Sequence, residues 1–288
     1  MPSRRHFIKQ SSFLTAGFLL DNSELFRKKK PVGVQLYTQR DDMGKDPRGT
    51  LEKVAKLGFK QVETFSYSNR KWFGFTPAEL TGILKDNGLT SPSGHVFSGS
   101  LFLRNDWEND WMRAVEDAKA IDQQYIVIPW LEEQHRKAEN YKRIAAGLNK
   151  AGEISNKASL TLAYHNHDFE FETVNGTTGF DTLSKETDPG LVCFELDIYW
   201  AVKANRDPIS LFKQHPKRFP LWHVKDMDKT EKKFFTEVGN GVIDFSAIFK
   251  KANQSGMKYF FVEQDECPGP PLASIEKSIK YLQQNIVK

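Results

Sequence analysis

Residues 191–198 read Leu191-Val192-Cys193-Phe194-Glu195-Leu196-Asp197-Ile198, an apolar, strand-forming run with two carboxylates near its end. Side chains alternate along an extended chain, so Glu195 and Asp197 share one face and Phe194 and Leu196 the other. The same pattern recurs at 160–166 before His167, at 220–225 through His223 and Lys225, and at 259–264 through Glu263. Four more strand-like runs precede them, at 32–38, 61–65, 90–97 and 125–130, so eight recur roughly every 30 residues.

Helical patterns fill the gaps. Thr76-Pro77-Ala78-Glu79 is a capping box with proline at the first helical position, and that helix stops at Asn87-Gly88. Leu51, Val54, Ala55 and Leu57 form an apolar stripe before Gly58, and Asp207-Pro208 and Asp244 start further helices. Strand–helix alternation of this period means parallel strands with crossover helices. Eight units, with no Gly-x-Gly-x-x-Gly after the first strand, predict an α/β chain folded as one (β/α)₈ TIM barrel over residues 31–288. Barrels of this kind take about 250 residues.

In such a barrel the C-terminal ends of the strands carry the chemistry. Strands five to eight end in ionisable residues of His/Asp/His/Glu type, His165 and His167, Glu195 and Asp197, His223, and Glu263 and Asp265, and four such groups could converge on one cation, because burying several uncompensated ionisable groups together is costly. Imidazole and carboxylate donors suit Mn²⁺, Zn²⁺, Co²⁺ or Fe²⁺ better than Ca²⁺, with Mg²⁺ also compatible. The strand-five donor is open between His165, His167 and Glu170. Gln35 and Tyr37 end strand one, Glu63 strand two and His95 strand three, and Trp130 follows strand four. With Glu195 and Lys225 these are candidate substrate contacts, and Glu63 and His95 are also candidate acid–base groups; structural hydrogen bonding is the rival reading. Trp72, Phe73, Phe75, Trp107 and Trp111 either wall a sugar site or pack the core. Gly239-Asn240-Gly241 reads as a turn rather than a phosphate loop, and His135 and His215 as surface residues.

The whole chain carries a net charge of +4, but residues 1–30 hold seven Lys/Arg against Asp21 and Glu24, leaving the body at −1. Nucleic-acid-binding domains show a basic excess, so such a partner is not expected. Two cysteines without Cys-x-x-Cys spacing argue against a disulfide framework or zinc ribbon, and Cys193 reads as a small core residue. Arg4-Arg5 followed by the mildly apolar stretch 11–20 resembles a twin-arginine export signal, too short to span a membrane and without an Ala-x-Ala cleavage pattern. It implies export to the periplasm. A homo-oligomer is compatible with the sequence.

The stretches 162–167 (Leu-Ala-Tyr-His-Asn-His), 195–197 (Glu-Leu-Asp), 223–226 (His-Val-Lys-Asp), 238–245 (Val-Gly-Asn-Gly-Val-Ile-Asp-Phe) and 262–265 (Val-Glu-Gln-Asp) together resemble the xylose isomerase-like TIM-barrel superfamily. That group includes sugar-phosphate isomerase/epimerases, ketose 3-epimerases, inosose dehydratase and endonuclease IV, and the resemblance covers nearly all of 31–288. It implies a divalent metal on Asp197, His223 and Glu263, and a strand-five ligand that is glutamate in the epimerases. The matching position here is His165, and His-x-His is closer to the inosose-dehydratase pattern. The implied chemistry is proton abstraction beside a carbonyl of a free sugar or keto-sugar, giving an enediolate, with Glu263 as base and His95 or His167 as acid. Reprotonation makes the enzyme an isomerase or epimerase; expulsion of a β-substituent makes it a lyase or dehydratase, the alternative. A non-catalytic sugar-binding barrel and an endonuclease stand further behind, since Trp200 occupies the place of a nuclease histidine.

Overall fold

The computed structural model describes residues 30–287. Eight parallel strands close into a barrel: β1 (Gly33–Gln35), β2 (Gln61–Thr64), β3 (Thr90–His95), β4 (Tyr125–Ile128), β5 (Thr161–His165), β6 (Val192–Asp197), β7 (Leu221–Val224) and β8 (Tyr259–Val262), with β1 hydrogen-bonded to both β2 and β8. Each lies inside a segment expected from the sequence. They are shorter because the chain leaves the sheet as it reaches the polar residues. After β1, for example, Leu36–Gln39 winds into a 3₁₀ turn whose Tyr37 amide donates to the Gln35 side chain at 3.0 Å.

The helices that cover the barrel include α1 (Pro47–Lys56), α2 (Pro77–Asp86), α3 (Glu108–Ala120), α4 (Ala138–Lys157), α5 (Gly179–Glu186), α6 (Pro208–Gln214), α7 (Phe245–Phe249) and α8 (Pro271–Asn285). The capping box of α2 is formed, with Thr76 N donating to Glu79 Oε2 at 2.8 Å. Asp207 and Asp244 cap α6 and α7. Among the described residues no helix is long and apolar enough to cross a membrane.

Alternation divides the core in two. Outward-facing residues such as Val34, Val62, Ile126, Leu162, Phe194 and Trp222 pack under the helices. Inward-facing Val127, Ala163, Cys193, Leu221 and Phe261 form a small separate cluster. These share strand faces with His165, Glu195, Asp197, His223 and Glu263, so the plug fills the barrel beneath the ionisable residues. Gly33 is required here: a Cβ on it would lie 2.5 Å from Phe261 Cδ1. Cys193 is buried and unpaired, as a core residue.

Three two-residue hairpins, unsignalled in the sequence, sit on the loops after β2, β5 and β7: Tyr67–Ser68 with Lys71–Trp72, Thr173–Val174 with Thr177–Thr178, and Asp226–Met227 with Phe235–Thr236. The turn at 239–241 wraps an internal carboxylate. Asp226 Oδ2 accepts from Gly239 N and Gly241 N at 2.9 and 3.1 Å, and its Oδ1 accepts from Met227 N and Ile243 N. Any Cβ at Gly241 would clash with Asp226 Oδ1 at 2.2 Å, so this loop is a structural turn.

Candidate active site

Register sets the heights of the strand-end groups. His165 is level with Glu195, and Asp197 with His223. The ionisable residues therefore form two tiers.

In the lower tier, Glu195 Oε2 receives three imidazoles: His95 Nε2 at 2.8 Å, His165 Nδ1 at 3.1 Å and His223 Nε2 at 3.2 Å. Beside it, Glu63 Oε2 meets His223 Nε2 at 2.6 Å and accepts from Gln35 Nε2 at 2.7 Å, while Ser93 Oγ donates to its Oε1. In the upper tier, His223 Nδ1 lies 2.7 Å from Glu263 Oε2. Lys225 Nζ reaches Asp197, Glu263 and Asp265 at 2.8, 2.6 and 2.7 Å. His223 and Lys225 thus converge, although β7 ends between them.

Burial opposes the charge on every one of these groups, and the neighbours decide the outcome. Burial would raise Glu63, but His95 and His223 hold it well below the usual carboxylate range. Burial would lower His95, yet Glu63 and Glu195 push it up to about 9. His223 and Lys225 likewise overcome burial through their carboxylates and rise well above their ordinary values. Glu263 resists burial through Lys225 and His223 and is lowered. Burial wins at Asp197, raised to about 6 against Lys225 and His223. It also wins at His165, where His223 adds to it and the imidazole is held neutral.

The residues fit a divalent ion. Metal-binding histidines keep one nitrogen on a carboxylate and turn the other to the metal. His165 does this with Glu195 behind Nδ1, leaving Nε2 3.8 Å from Asp197 Oδ2. His223 does it with Glu63 behind Nε2, leaving Nδ1 4.0 Å from the same oxygen. Two donors on one ion at about 2.1 Å each lie at most about 4.2 Å apart. Asp197 Oδ1 caps the helix Ile198–Lys203 through Trp200 N at 2.9 Å, whereas Oδ2 makes no directed hydrogen bond despite the nearby ammonium. Asp197, His223 and Glu263 present donor atoms within 4.8 Å of one another, and so do His95, His165, Glu195 and His223. The expected four ligands are therefore split between two overlapping groups that share His223.

At this end of the barrel opens a cavity of about 800 Å³ lined by Tyr37, His95, Trp130, His165, His167 and Glu263, among others. Gln35, Glu63 and Glu195, expected as substrate contacts or acid–base groups, are 0% exposed and do not line the cavity; Glu63 and Glu195 hold the histidines, and Gln35 donates to Glu63. Trp72, Trp107 and Trp111 pack in the core. Beside Tyr37 and Trp130, the aromatic wall comes from residues the sequence did not single out for it, including Phe65, Tyr67, Phe97, Phe169, Trp200 and Phe235. Arg136 was also missed: its guanidinium lies 3.4 Å from the Phe169 ring centroid and 4.9 Å from that of Trp130. Nothing in the linear sequence marks an α4-flanking arginine as a cavity residue. His135 and His215 are half-buried and away from the cavity.

Glu170 is held apart from these candidate ion ligands. Its two oxygens accept from Tyr164 Oη at 2.8 Å and His167 N at 2.7 Å, and burial raises its pKa to about 8. A folded-state pKa above the ordinary 4.5 means that folding favours the protonated form. The associated stability is complete below the unfolded pKa and lost as pH rises through about 8. Between those values wild type is expected to lose stability relative to Glu170→Gln by up to about 1.4 kcal/mol per pH unit. Urea titrations from pH 5 to 9 check this; parallel curves would remove the protonated carboxyl.

Residues 51–285 match the family described as xylose isomerase-like TIM barrel. The chain belongs to that family. Among its relatives, inosose dehydratase of Clostridium tetani is 30% identical over 165 residues, 51% of this chain and 55% of the relative. The chain thus spans about half the length of the curated relatives it matches. A solved sugar phosphate isomerase/epimerase from Parabacteroides distasonis superposes with a TM-score of 0.78 at 28% identity, covering 91% of this chain and 96% of that one. A xylose isomerase-like TIM barrel protein from Mycobacterium smegmatis, solved with magnesium, is 15% identical (TM-score 0.67; 88% and 96% covered) and shares the fold.

Proposed function

We propose that this xylose isomerase-like barrel removes a proton beside the carbonyl of a keto-sugar and then expels the neighbouring β-substituent, as a lyase or dehydratase. The observation that carries the reading is on β5. An exchange of protons between two carboxylates needs a second carboxylate facing the sugar, and His165 stands in that place, while Glu170 is held by Tyr164 and His167. The half-length likeness to inosose dehydratases supports the same order. Isomerase or epimerase chemistry is the second reading, favoured by the likeness to the Parabacteroides distasonis structure.

His165, Asp197, His223 and Glu263 hold the divalent ion in this proposal, and Mn²⁺, Zn²⁺, Co²⁺ and Mg²⁺ all suit the donors. When bound, the ion supplies Lewis-acid stabilisation of negative charge developing on the carbonyl oxygen. Glu63 and Glu195 fix the two histidines. His167, half-buried on the cavity wall, is held neutral by desolvation and then by Lys225, so its free imidazole is the proposed proton acceptor. His95, carrying its proton, serves as the acid. Tyr37 and Trp130 contact the substrate, and Lys225 orders the carboxylates. The export reading rests on Arg4, Arg5 and the stretch 11–20, outside the described residues; with it, a periplasmic enzyme acting on unphosphorylated sugars is our proposal.

Incubation with 3-keto-glycosides and their unoxidised parents in D₂O with Mn²⁺, followed by NMR, tests this. An unsaturated sugar with release of the substituent is the expected result. Deuterium in an otherwise intact sugar would favour the isomerase, and no change in either set would overturn the carbonyl-adjacent mechanism for them.

A further inference from the structure

Among the described residues Arg136 is the one lysine or arginine that lines the main cavity. Its side chain is fixed at two points. Nε donates to Leu131 O at 3.0 Å, and the guanidinium lies over the rings of Phe169 and Trp130, 3.4 and 4.9 Å from their centroids. Nη1 and Nη2 have no hydrogen-bond or ion-pair partner among the described residues and, unlike the buried Arg218 Nε, are open to solvent. A guanidinium already stacked and tethered gives up little further freedom when its fork of N–H donors meets an anion.

The acids of the cavity do not satisfy that fork. Glu263 and Asp265 meet Lys225, and Asp168 faces Lys203 at 4.0 Å. Glu266 is exposed and follows β8, four strands round the barrel from β4, which Arg136 follows. Glu170 feels Arg136 only through space, and its two oxygens are taken by Tyr164 Oη and His167 N. Arg136 is thus an immobilised cation without a counter-charge in contact.

We propose that Arg136 determines specificity by gripping a carboxylate of the substrate, so that the keto-sugar is an acidic one, a uronic acid or its glycoside. The inference rests on the carbonyl-adjacent reading above. Trp130 and Phe169 touch the guanidinium on one side and His167 on the other, with ring centroids 4.7 and 5.5 Å from the imidazole. The anion therefore sits about one ring's width from the proposed proton acceptor, as it does when carboxylate and carbonyl belong to the same sugar ring. A planar carboxylate matches the fork through two parallel hydrogen bonds. A phosphate dianion calls for a second cation, and among the described residues no other arginine or lysine lines the cavity.

Titration calorimetry with Mn²⁺ present compares methyl glucuronide, methyl glucoside and glucose 6-phosphate. Wild type is expected to bind the glucuronide at least about tenfold more tightly than the glucoside, because hydrogen bonds between charged groups are the strong ones. Arg136→Gln is expected to abolish that preference while leaving glucoside affinity within about twofold. Arg136→Lys keeps the charge and loses the fork, so part of the preference should remain. An arginine that only packs against Phe169 and Trp130 would change both affinities together. The proposal is overturned by wild type with no glucuronide preference, by a preference that survives Arg136→Gln, by equal losses for both glycosides, or by tighter binding of glucose 6-phosphate than of the glucuronide. Conversion of 3-keto-glycosides is read separately. Turnover of a neutral keto-glycoside without a glucuronide preference would remove the carboxylate and keep the reaction, whereas the preference without turnover would keep the site and remove the reaction.

Discussion

His223→Ala is expected to abolish measurable turnover, to lower divalent-metal affinity by more than about 100-fold and to destabilise the fold. The size follows from the position of the ring. Nε2 lies 2.6 Å from Glu63 and 3.2 Å from Glu195, and Nδ1 lies 2.7 Å from Glu263. Removing it takes away a proposed ligand and leaves three buried carboxylates without their shared partner. Breaking a buried pair costs about 3–5 kcal/mol. Glu63→Gln separates the two effects. It spares the ligand and disturbs only what orients it, for which a loss of about 10–100-fold in metal affinity is the usual scale. Metal content after dialysis and thermal melts with and without Mn²⁺ measure both variants. If His223→Ala retained wild-type metal content, the assignment of the centre would be lost. In the ion-free protein both nitrogens of His223 face carboxylates and its pKa is raised, so loading Nδ1 requires loss of a proton. Metal uptake should therefore release protons into weakly buffered solution.

The barrel was legible because its strands end in a repeated pattern, and the capping box at Thr76 and the asparates Asp207 and Asp244 mark the helices between them. Alternation within each run also placed Glu195 with Asp197 and His165 with His167 on inward faces. Height was not legible. Pairing His165 with Glu195, and Asp197 with His223, depends on the stagger between strands, which no single strand encodes. Glu63, Gln35 and Glu195 consequently look from the sequence like residues facing a substrate, and are fully buried without lining the cavity. The walls were less legible still. Phe235 reaches the cavity through a hairpin of two-residue strands, and Arg136 through rings 3.4 and 4.9 Å away, contacts that carry no periodic signal. Trp72 and Trp111 show the converse, aromatic residues in the right segments that packing draws into the core.

Lys225→Met is expected to destabilise the ion-free protein by about 3–5 kcal/mol and to make its stability depend strongly on divalent ions. The ammonium is 1% exposed and bound to Asp197, Glu263 and Asp265, so its loss leaves three carboxylates facing one another. Two of them are proposed ion ligands, and Lys225 touches the same Asp197 and Glu263 oxygens that a bound ion would use. In wild type the ammonium would therefore oppose the proposed ion, whose binding would push a positive charge against a resident one. In the variant the ion is the remaining compensation. A ligand at 100 times its dissociation constant contributes about 2.7 kcal/mol to stability. The rise in melting temperature on adding Mn²⁺ should thus be larger for Lys225→Met than for wild type, and the ion should bind the variant more tightly. Lys225→Arg keeps the charge and tests size alone. Equal rises in wild type and Lys225→Met would show that the ammonium and the ion do not share those oxygens, and the centre would then have to form away from Asp197 and Glu263, around His95, His165, Glu195 and His223 in the lower tier.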